Sequence, residues 1–238
     1  MLLDVKGLTK RFGGLAAVEG LSFTVSAGEI LGLIGPNGAG KTTAFNCIAG
    51  ALAPTEGQVF LDGREVTGRK PYQMAGMGVS RTFQANRSYP SLSVAQNVAH
   101  ALDFRHDRKA EPAAKRLQSL LEFTGLTSVA AEEARNLSHG HQRLLGIAMA
   151  LALDPKILFL DEPAGGMNPN EKADLQELLL RIRERGVTIV LIEHNMTMVM
   201  SLCDRIVVIN YGKKIAEGSP AAVANDPQVV EAYLGKAW

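Results

Sequence analysis

A glycine-rich segment near the start of the chain carries the residue types needed to hold a row of phosphates. It fits the pattern G-x-x-x-x-G-K-[ST] without a mismatch. Glycines let the backbone turn tightly so that successive N–H groups point at an anion, and the lysine can reach the β- and γ-phosphates. The segment consists of Gly35, Pro36, Asn37, Gly38, Ala39, Gly40, Lys41, Thr42 and Thr43.

The sequence on either side of this phosphate loop supports the same chemistry. An apolar, strand-like run at residues 30–34 precedes the loop, and a helix-forming stretch at residues 43–49 follows it. The N-terminus of such a helix adds the positive end of its dipole, and the hydroxyl of Thr42 is placed to bind Mg²⁺. A glycine-rich turn with a chance lysine would lack both flanking elements. The loop therefore predicts binding of a nucleoside triphosphate.

Two carboxylates follow a second apolar run further along the chain. Residues 157–160 are predicted to form a buried strand, and Asp161, Glu162 and Pro163 come directly after it. A carboxylate at the carboxyl end of such a strand can hold Mg²⁺ beside the phosphate loop, directly or through water. Glu162 points elsewhere and is the candidate base for the attacking water. Carboxylates at strand ends are common in proteins. This pair indicates a nucleotide site because it lies downstream of the phosphate loop.

The segment at residues 137–143 leads into a predicted helix and carries a family resemblance. It resembles the Leu-Ser-Gly-Gly-Gln signature of the ATP-binding subunits of ABC transporters, with matches at Leu137, Ser138 and Gly140. The resemblance implies that this segment caps the γ-phosphate of the ATP held by the opposite subunit. By itself, Ser138 would predict only a helix N-cap. Two residues depart from the signature, His139 and His141. The residues implied to contact the opposite ATP are Ser138, His139, Gly140, His141 and Gln142.

Further positions in the order of that family extend the resemblance over nearly the whole chain. Phe12 matches the aromatic residue that stacks on adenine, and Gln84 matches the glutamine that touches Mg²⁺ and the attacking water. His194 matches the switch histidine that contacts the γ-phosphate. Each of these residues alone would more readily be assigned a structural role. The stretch at residues 164–169 matches the loop that crosses the dimer interface, with Asn168 where the family usually has aspartate.

Within the family, four segments are similar to the importers of branched-chain amino acids and related polar solutes. They lie at residues 11–18, 45–50, 76–84 and 230–235. That branch tolerates a changed signature and an asparagine in the dimer loop, so both departures fit it. Its importers often pair two related ATP-binding subunits, so we expect a heterodimer, with a homodimer as the alternative.

The resemblance also implies an activity and a set of partners. ATP and Mg²⁺ would be the cofactors, and hydrolysis would move transmembrane permease subunits, served indirectly by a solute-binding protein. The chain would lie peripherally at the cytoplasmic face of the cell membrane. Catalysis is assigned to Glu162, Lys41, Gln84 and His194, and the metal to Thr42, Gln84 and Asp161.

Two other functions are compatible with the same nucleotide motifs. An exporter or lipid-extraction ATPase of the same superfamily would have the same site. A soluble ABC protein of DNA repair or translation usually has tandem nucleotide domains or long coiled coils, whereas this sequence has one phosphate loop and no heptad run. A kinase or a GTPase would not explain residues 138–143.

Length and composition fit a cytosolic α/β protein. The chain has 238 residues, and its formal charge of 25 − 24 = +1 gives no reason to expect nucleic acid as a partner. Cys47 and Cys203 are predicted to be buried free thiols. We expect one nucleotide-binding domain over residues 1–238, with a helical subdomain inserted at about 85–155.

The order of elements predicts the fold class α/β: a P-loop NTPase core with a parallel sheet, an antiparallel β subdomain and an inserted helical subdomain. Residues 94–126 have apolar residues at helical spacing. From residue 142, helices alternate with strands that are apolar throughout, as in strands covered on both faces. The predicted strands lie at residues 2–8, 21–25, 30–34, 58–61, 157–160, 187–192 and 206–209.

Overall fold

The computed structural model describes residues 1–82, 88–104 and 112–234. The chain divides into two compact units, the first formed by Met1–Met74 with Thr188–Trp238 and the second by Ala75–Val187. Gln84 lies outside the described residues. The prediction of a single domain with a helical insertion at about 85–155 stays a prediction.

The strands and helices are numbered in chain order within the described residues. The strands are β1 (Leu3–Phe12), β2 (Leu15–Val25), β3 (Ile30–Ile34), β4 (Glu56–Leu61), β5 (Arg64–Glu65), β6 (Val79–Arg81), β7 (Ile157–Asp161), β8 (Thr188–Ile192), β9 (Arg205–Asn210) and β10 (Lys213–Gly218). The helices are α1 (Lys41–Ile48), α2 (Pro71–Gly76), α3 (Val94–Leu102), α4 (Ala113–Phe123), α5 (His139–Leu151), α6 (Pro169–Glu184), α7 (Met196–Leu202), α8 (Pro220–Ala224) and α9 (Pro227–Leu234). None of these helices is both long enough and apolar enough to cross a membrane.

The first unit contains an antiparallel sheet in the order β2-β1-β4-β5. The pairing of β1 with β2 runs from Leu3 opposite Val25 to Phe12 opposite Leu15. The predicted strands at residues 2–8 and 21–25 were therefore too short. The residues added to the two strands are mostly exposed or half-buried, with Thr9 and Val18 as buried exceptions, so they show no continuous apolar pattern.

The same unit contains a second group of strands around β3, which is buried along its whole length. β3 pairs in parallel with β8, where Ile30 lies opposite Ile189, and with β9, where Gly32 lies opposite Ile206. These are the apolar runs that predicted a parallel sheet, and the α/β fold class is confirmed. β10 joins β9 in antiparallel orientation and was not predicted, because its Lys-Lys-Ile-Ala-Glu-Gly sequence has no fully buried residue.

The second unit holds the parallel pair β6–β7 and the helices α3 to α6. Val79 lies opposite Ile157, and Arg81 lies opposite Phe159. The helical middle of the chain is confirmed in α3 and α4. α5 begins at His139, three residues earlier than predicted, because Ser138 caps its first turn. Neither α2 nor β6 was predicted, since both are short.

Candidate functional site

The phosphate loop connects β3 to α1 through glycines with positive φ. The φ angles are 153° at Gly35, 79° at Gly38 and 101° at Gly40. A Cβ atom at Gly35 would collide with the carbonyl oxygen of Ile209, and one at Gly40 would collide with that of Ala17. Both the backbone conformation and the close approach of neighbouring strands therefore require glycine.

Lys41 is the first residue of α1 and is buried inside the loop. Its Nζ donates hydrogen bonds to the carbonyl oxygens of Gly35, at 2.7 Å, and Pro36, at 2.9 Å. Gly40 occupies the N-cap position, and no side chain caps the helix. The first turn of α1 therefore offers backbone N–H groups and the positive end of the helix dipole to an anion.

The turn between β9 and β10 braces the phosphate loop. The N–H of Gly212 donates to the carbonyl oxygen of Ala39 at 2.9 Å, and the carbonyl of Gly212 accepts from the N–H of Glu19 at 2.9 Å. Tyr233 of α9 also lies near the loop. Partial burial raises the pKa of its hydroxyl to about 12, and a hydrogen bond with the backbone of Gly35 offsets part of this rise. No sequence motif indicates that Gly212 and Tyr233 contact the phosphate loop.

Phe12 ends β1 with half of its surface exposed. Its relative exposure is 50%, and the ammonium of Lys10 lies 5.2 Å from its ring centroid. An aromatic ring left half exposed beside a cation suits a flat ligand that stacks on it. Its role as the adenine-stacking residue stays a prediction.

Glu193, which received no role from the sequence, organises the segment that carries His194. Glu193 is only 4% exposed, and its Oε2 accepts from the backbone N–H groups of His194 and Asn195, at 2.9 and 3.2 Å. Asn195 in turn caps α7 by accepting from the N–H of Met198 at 3.1 Å. The backbone of the predicted switch histidine is thus fixed, whereas its side chain is exposed.

In the second unit, Asp161 ends β7 and is 2% exposed. A guanidinium nitrogen of Arg81, at the end of β6, lies 3.5 Å from its Oδ2. Glu162 follows in the left-handed region at φ 50°, and its carbonyl oxygen accepts from the N–H of Gly165 at 3.2 Å. That conformation costs a glutamate about 1–3 kcal/mol, a strain that concentrates at functional sites.

The signature segment, residues 137–143, leads into α5, which begins at His139. The Oγ of Ser138 accepts from the N–H of His141 at 3.2 Å, and the amide of Gln142 donates to the carbonyl of Leu137 at 3.1 Å. Ser138 and His139 are exposed, whereas Gly140 is buried. The segment therefore presents a hydroxyl and an imidazole at the N-terminus of a helix.

The dimer loop, residues 164–169, ends in a capping box at the start of α6. The Oδ1 of Asn168 accepts from the N–H groups of Asn170 and Glu171, at 2.9 and 3.0 Å. The Oε2 of Glu171 accepts from the N–H of Asn168 at 2.8 Å. An asparagine serves this cap as well as an aspartate does, because the acceptor oxygen is retained. The departure at Asn168 is therefore compatible with the local structure.

Comparison with known families accounts for both the motifs and the fold. A family model described as ABC transporter matches residues 18–165, from β2 through the phosphate loop to the end of the Asp161–Glu162 turn. The chain belongs to the ABC transporter family. It is an ATP-binding and ATP-hydrolysing cassette. A second model, described as branched-chain amino acid ATP-binding cassette transporter, matches residues 213–238.

Several relatives of this ABC cassette match it over nearly their whole length. It is 42% identical to the high-affinity branched-chain amino acid transport ATP-binding protein BraF of Pseudomonas aeruginosa, over 99% of this chain and 98% of BraF. It is 43% identical to LivG of Escherichia coli, which has the same description, with the same coverage. The lipopolysaccharide export ATP-binding protein LptB of Haemophilus influenzae is 32% identical, over 99% of this chain and 98% of LptB.

Solved cassettes have the same fold. A nucleotide-free ATP-binding cassette of an ABC transporter superposes with a TM-score of 0.88 at 30% identity, covering 99% of both chains. A dimeric cassette in a post-hydrolysis state, bound to ADP and Pi, superposes with a TM-score of 0.82 at 26% identity, covering 92% of this chain and 99% of that one.

The described structure gathers the predicted residues of this ABC cassette within each unit. The first unit carries the phosphate loop, Phe12 and His194, and the second carries Asp161, Glu162 and the signature segment. Gln84 is outside the described residues.

Proposed function

We propose that this chain is the ATP-hydrolysing subunit of an importer of branched-chain amino acids or a related polar solute. The observation that carries the proposal is the identity of 42–44% over nearly the full length to four branched-chain amino acid transport ATP-binding proteins. The match of the C-terminal residues 213–238 to a branched-chain amino acid family model supports it. The lipopolysaccharide exporter subunit, at 32%, is more distant.

The nucleotide would bind to the phosphate loop. The buried ammonium of Lys41, already hydrogen-bonded to the loop, would bind the β- and γ-phosphates of ATP. The uncapped first turn of α1 would add N–H donors, and the half-exposed ring of Phe12 would stack on adenine. The exposed Ser138 at the N-terminus of α5 would bind the γ-phosphate of the ATP on the opposite subunit.

The residues assigned to Mg²⁺ fit that ion by their donor chemistry. The hydroxyl of Thr42 is exposed, and Asp161 offers a carboxylate, so both present the hard oxygen ligands that Mg²⁺ prefers. Gln84 would provide a third oxygen. When bound, Mg²⁺ neutralises charge on the phosphates.

The hydrolytic step would be in-line attack by water on the γ-phosphate. Glu162, which follows β7 in the left-handed backbone conformation, would orient this water and accept its proton. His194 would contact the γ-phosphate from a segment whose backbone Glu193 fixes. Positioning and electrostatic stabilisation supply most of the rate in such reactions.

The partners follow from the assembly in which such cassettes act. One solved relative is a dimer, and we infer that this chain pairs with a second ATP-binding subunit. Permease subunits would anchor the pair at the cytoplasmic face of the membrane, and a solute-binding protein would deliver the solute to them. We also propose that residues 1–238 act as one nucleotide-binding domain.

Isolation of the assembled complex from its source membrane tests this function. We expect permease subunits to copurify with this chain, and the complex in proteoliposomes to take up leucine only with ATP on the side of the cassettes. Copurification with an exporter or lipid-extraction permease, without amino-acid uptake, would refute the importer assignment. Absence of ATP hydrolysis by the assembled complex would refute the activity itself.

A further inference from the structure

One carboxylate on α6 touches two segments that are far apart in the sequence. Glu171 accepts a hydrogen bond from the N–H of Asn168 through its Oε2, at 2.8 Å. Its other oxygen, Oε1, lies against Gly140 in the signature segment. All three residues belong to the second unit. Glu171 therefore joins the dimer loop to the first turn of α5.

The contact with Gly140 leaves no room for a side chain. A Cβ atom at this position would lie 2.5 Å from the Oε1 of Glu171 and 3.0 Å from its Cδ. The end of a free glutamate side chain could move aside at little cost. This one is tethered, because its Oε2 is held by Asn168 and the same residue completes the capping box of α6. The packing against Glu171 thus requires glycine at position 140.

The dimer loop also approaches the signature segment independently. Gly166 has no side chain, and a Cβ atom built there would lie 4.0 Å from the Cβ of His139. The carboxylate of Glu171 also lies near the N-terminus of α5, where negative charge is favourable. The contact of Glu171 therefore holds the dimer loop against the signature segment, with Gly166 close beside His139.

We infer that Glu171 is a positioning residue for the shared ATP site. It holds the signature segment in register with the dimer loop, so that both meet the ATP of the opposite subunit together. The inference rests on the proposed function, in which these two segments cross the dimer interface. Glu171 itself does not contact the nucleotide.

A double-mutant cycle tests the contact by itself, without any partner. Gly140→Ala, Glu171→Ala and the double variant are unfolded in urea and compared with the original chain. We expect Gly140→Ala to lower the folding equilibrium constant about tenfold, and to have much less effect once Glu171→Ala has made room. Additive effects would overturn the inference. This result does not depend on whether the protein is an importer.

The second experiment measures ATP hydrolysis in the assembled complex. We expect Glu171→Ala to lower kcat about tenfold with little change in KM, because alignment follows ATP binding. Equilibrium ATP affinity of the isolated chain should be unchanged, since the phosphate loop lies in the other unit. Glu171→Gln keeps the length and an acceptor oxygen, so it should restore most of the rate.

Two control variants distinguish a positioning role of Glu171 from a general loss of protein stability. Asp174→Ala removes the neighbouring carboxylate one turn along α6, which is exposed. Ser219→Ala removes the acceptor that caps α8 through the N–H of Ala222, at 3.3 Å, and so weakens a helix cap elsewhere. Both should leave kcat within about twofold. If Glu171→Ala matched these controls, or raised KM at constant kcat, the positioning role would be wrong. Absence of ATPase activity in the unmodified complex would instead refute the proposed function.

Discussion

The guanidinium of Arg81 lies 3.5 Å from the Oδ2 of Asp161, and this pair ties the end of β6 to the end of β7. The N–H of Thr82 also donates to the carbonyl of Phe159 at 2.9 Å. The strand that leads towards Gln84 is therefore fixed to the strand that carries the predicted metal ligand. Arg81 balances part of the charge of a carboxylate that is 2% exposed.

We expect Arg81→Gln to destabilise the fold by about 1–3 kcal/mol, because it removes a charged hydrogen-bond partner from a buried carboxylate. Arg81→Lys should cost less, since the positive charge is kept. Urea unfolding measures both. Arg64→Gln, at an exposed position of β5, serves as the control. Equal midpoints for the Arg81→Gln and Arg64→Gln variants would show that the pair does not contribute to stability.

Lys41→Ala should remove most of the affinity for ATP. The lysine places its ammonium inside the loop by hydrogen bonds of 2.7 and 2.9 Å to two carbonyl oxygens, so its loss removes an already oriented cation. Loss of charge-assisted hydrogen bonds to phosphate should cost a few kcal/mol, at about tenfold in affinity per 1.4 kcal/mol. Titration with a fluorescent ATP analogue measures the effect, with the exposed Lys70→Ala as control. Retained affinity would show that this loop does not bind the phosphates.

Glu162→Gln should keep ATP binding and slow hydrolysis by about 10²–10⁴. Glutamine has the same shape as glutamate and occupies the same backbone conformation, but its amide cannot take the proton from water. Phosphate release under saturating ATP measures the rate, and Glu177→Gln on the exposed face of α6 provides the comparison. Turnover within a few-fold of the original rate would exclude Glu162 as the base.

The sequence predicted the parts of the site that depend on local patterns. The strand and helix that flank the phosphate loop, the apolar strands and the cap at Ser138 each rest on residues close together in the chain. The structure contains these elements, whereas the nucleotide contacts of the loop stay a prediction. Asn168, Pro169 and Glu171 fit the capping-box pattern, so the cap of α6 was also detectable.

The remaining features depend on contacts between distant segments. Arg81 meets Asp161 across 80 positions, and Gly212 braces Ala39 through the backbone alone. A single sequence gives no signal for such contacts, because neither residue type nor spacing specifies the partner. Glu171 was missed as a link to Gly140 for the same reason.

We expect one segment to couple the cassette to the membrane subunits, because it starts at the predicted phosphate-sensing Gln84 and carries an apolar patch around Tyr89 and Leu92. This segment runs from Gln84 to Val94, of which residues 88–94 are described. The side chain of Asn97 is fully buried. It accepts from the N–H of Tyr89 at 2.7 Å and donates to the carbonyls of Tyr89, Leu92 and Ser93 at 3.1, 3.2 and 2.9 Å. The loop is thus held in a fixed shape that leaves Tyr89 half exposed.

Cysteines placed at Ser88 or Ser91 should therefore crosslink to a permease subunit. The native thiols should not interfere, because both are buried, and burial raises the pKa of Cys203 to about 12 and also raises that of Cys47. Crosslinked products are identified by mass spectrometry of the assembled complex. Ser22→Cys on the exposed face of β2 is the control. Failure at both positions, with successful crosslinking from other faces, would place the contact elsewhere.

The last prediction concerns the second ATP-binding subunit, which we expect to differ from this chain. His139 replaces the usual glycine of the signature, and its side chain is exposed where the segment must approach the opposite ATP. Gly166 of the dimer loop lies close to the Cβ atom of this histidine. A homodimer would have to accommodate this imidazole twice, at sites related by a two-fold axis, whereas a different partner needs one complementary pocket.

Intact mass of the complex isolated from its source membrane decides between the two assemblies. We expect one copy of this chain and one copy of a related ATPase. Two copies of this chain without a second ATPase would contradict the prediction. His139→Gly provides a further check: in a heterodimer shaped around the imidazole, the variant should lower the ATPase rate of the complex, because the pocket on the partner would lose the group that fills it. An unchanged rate would show that the imidazole has no complementary pocket and would remove the physical reason for a distinct partner.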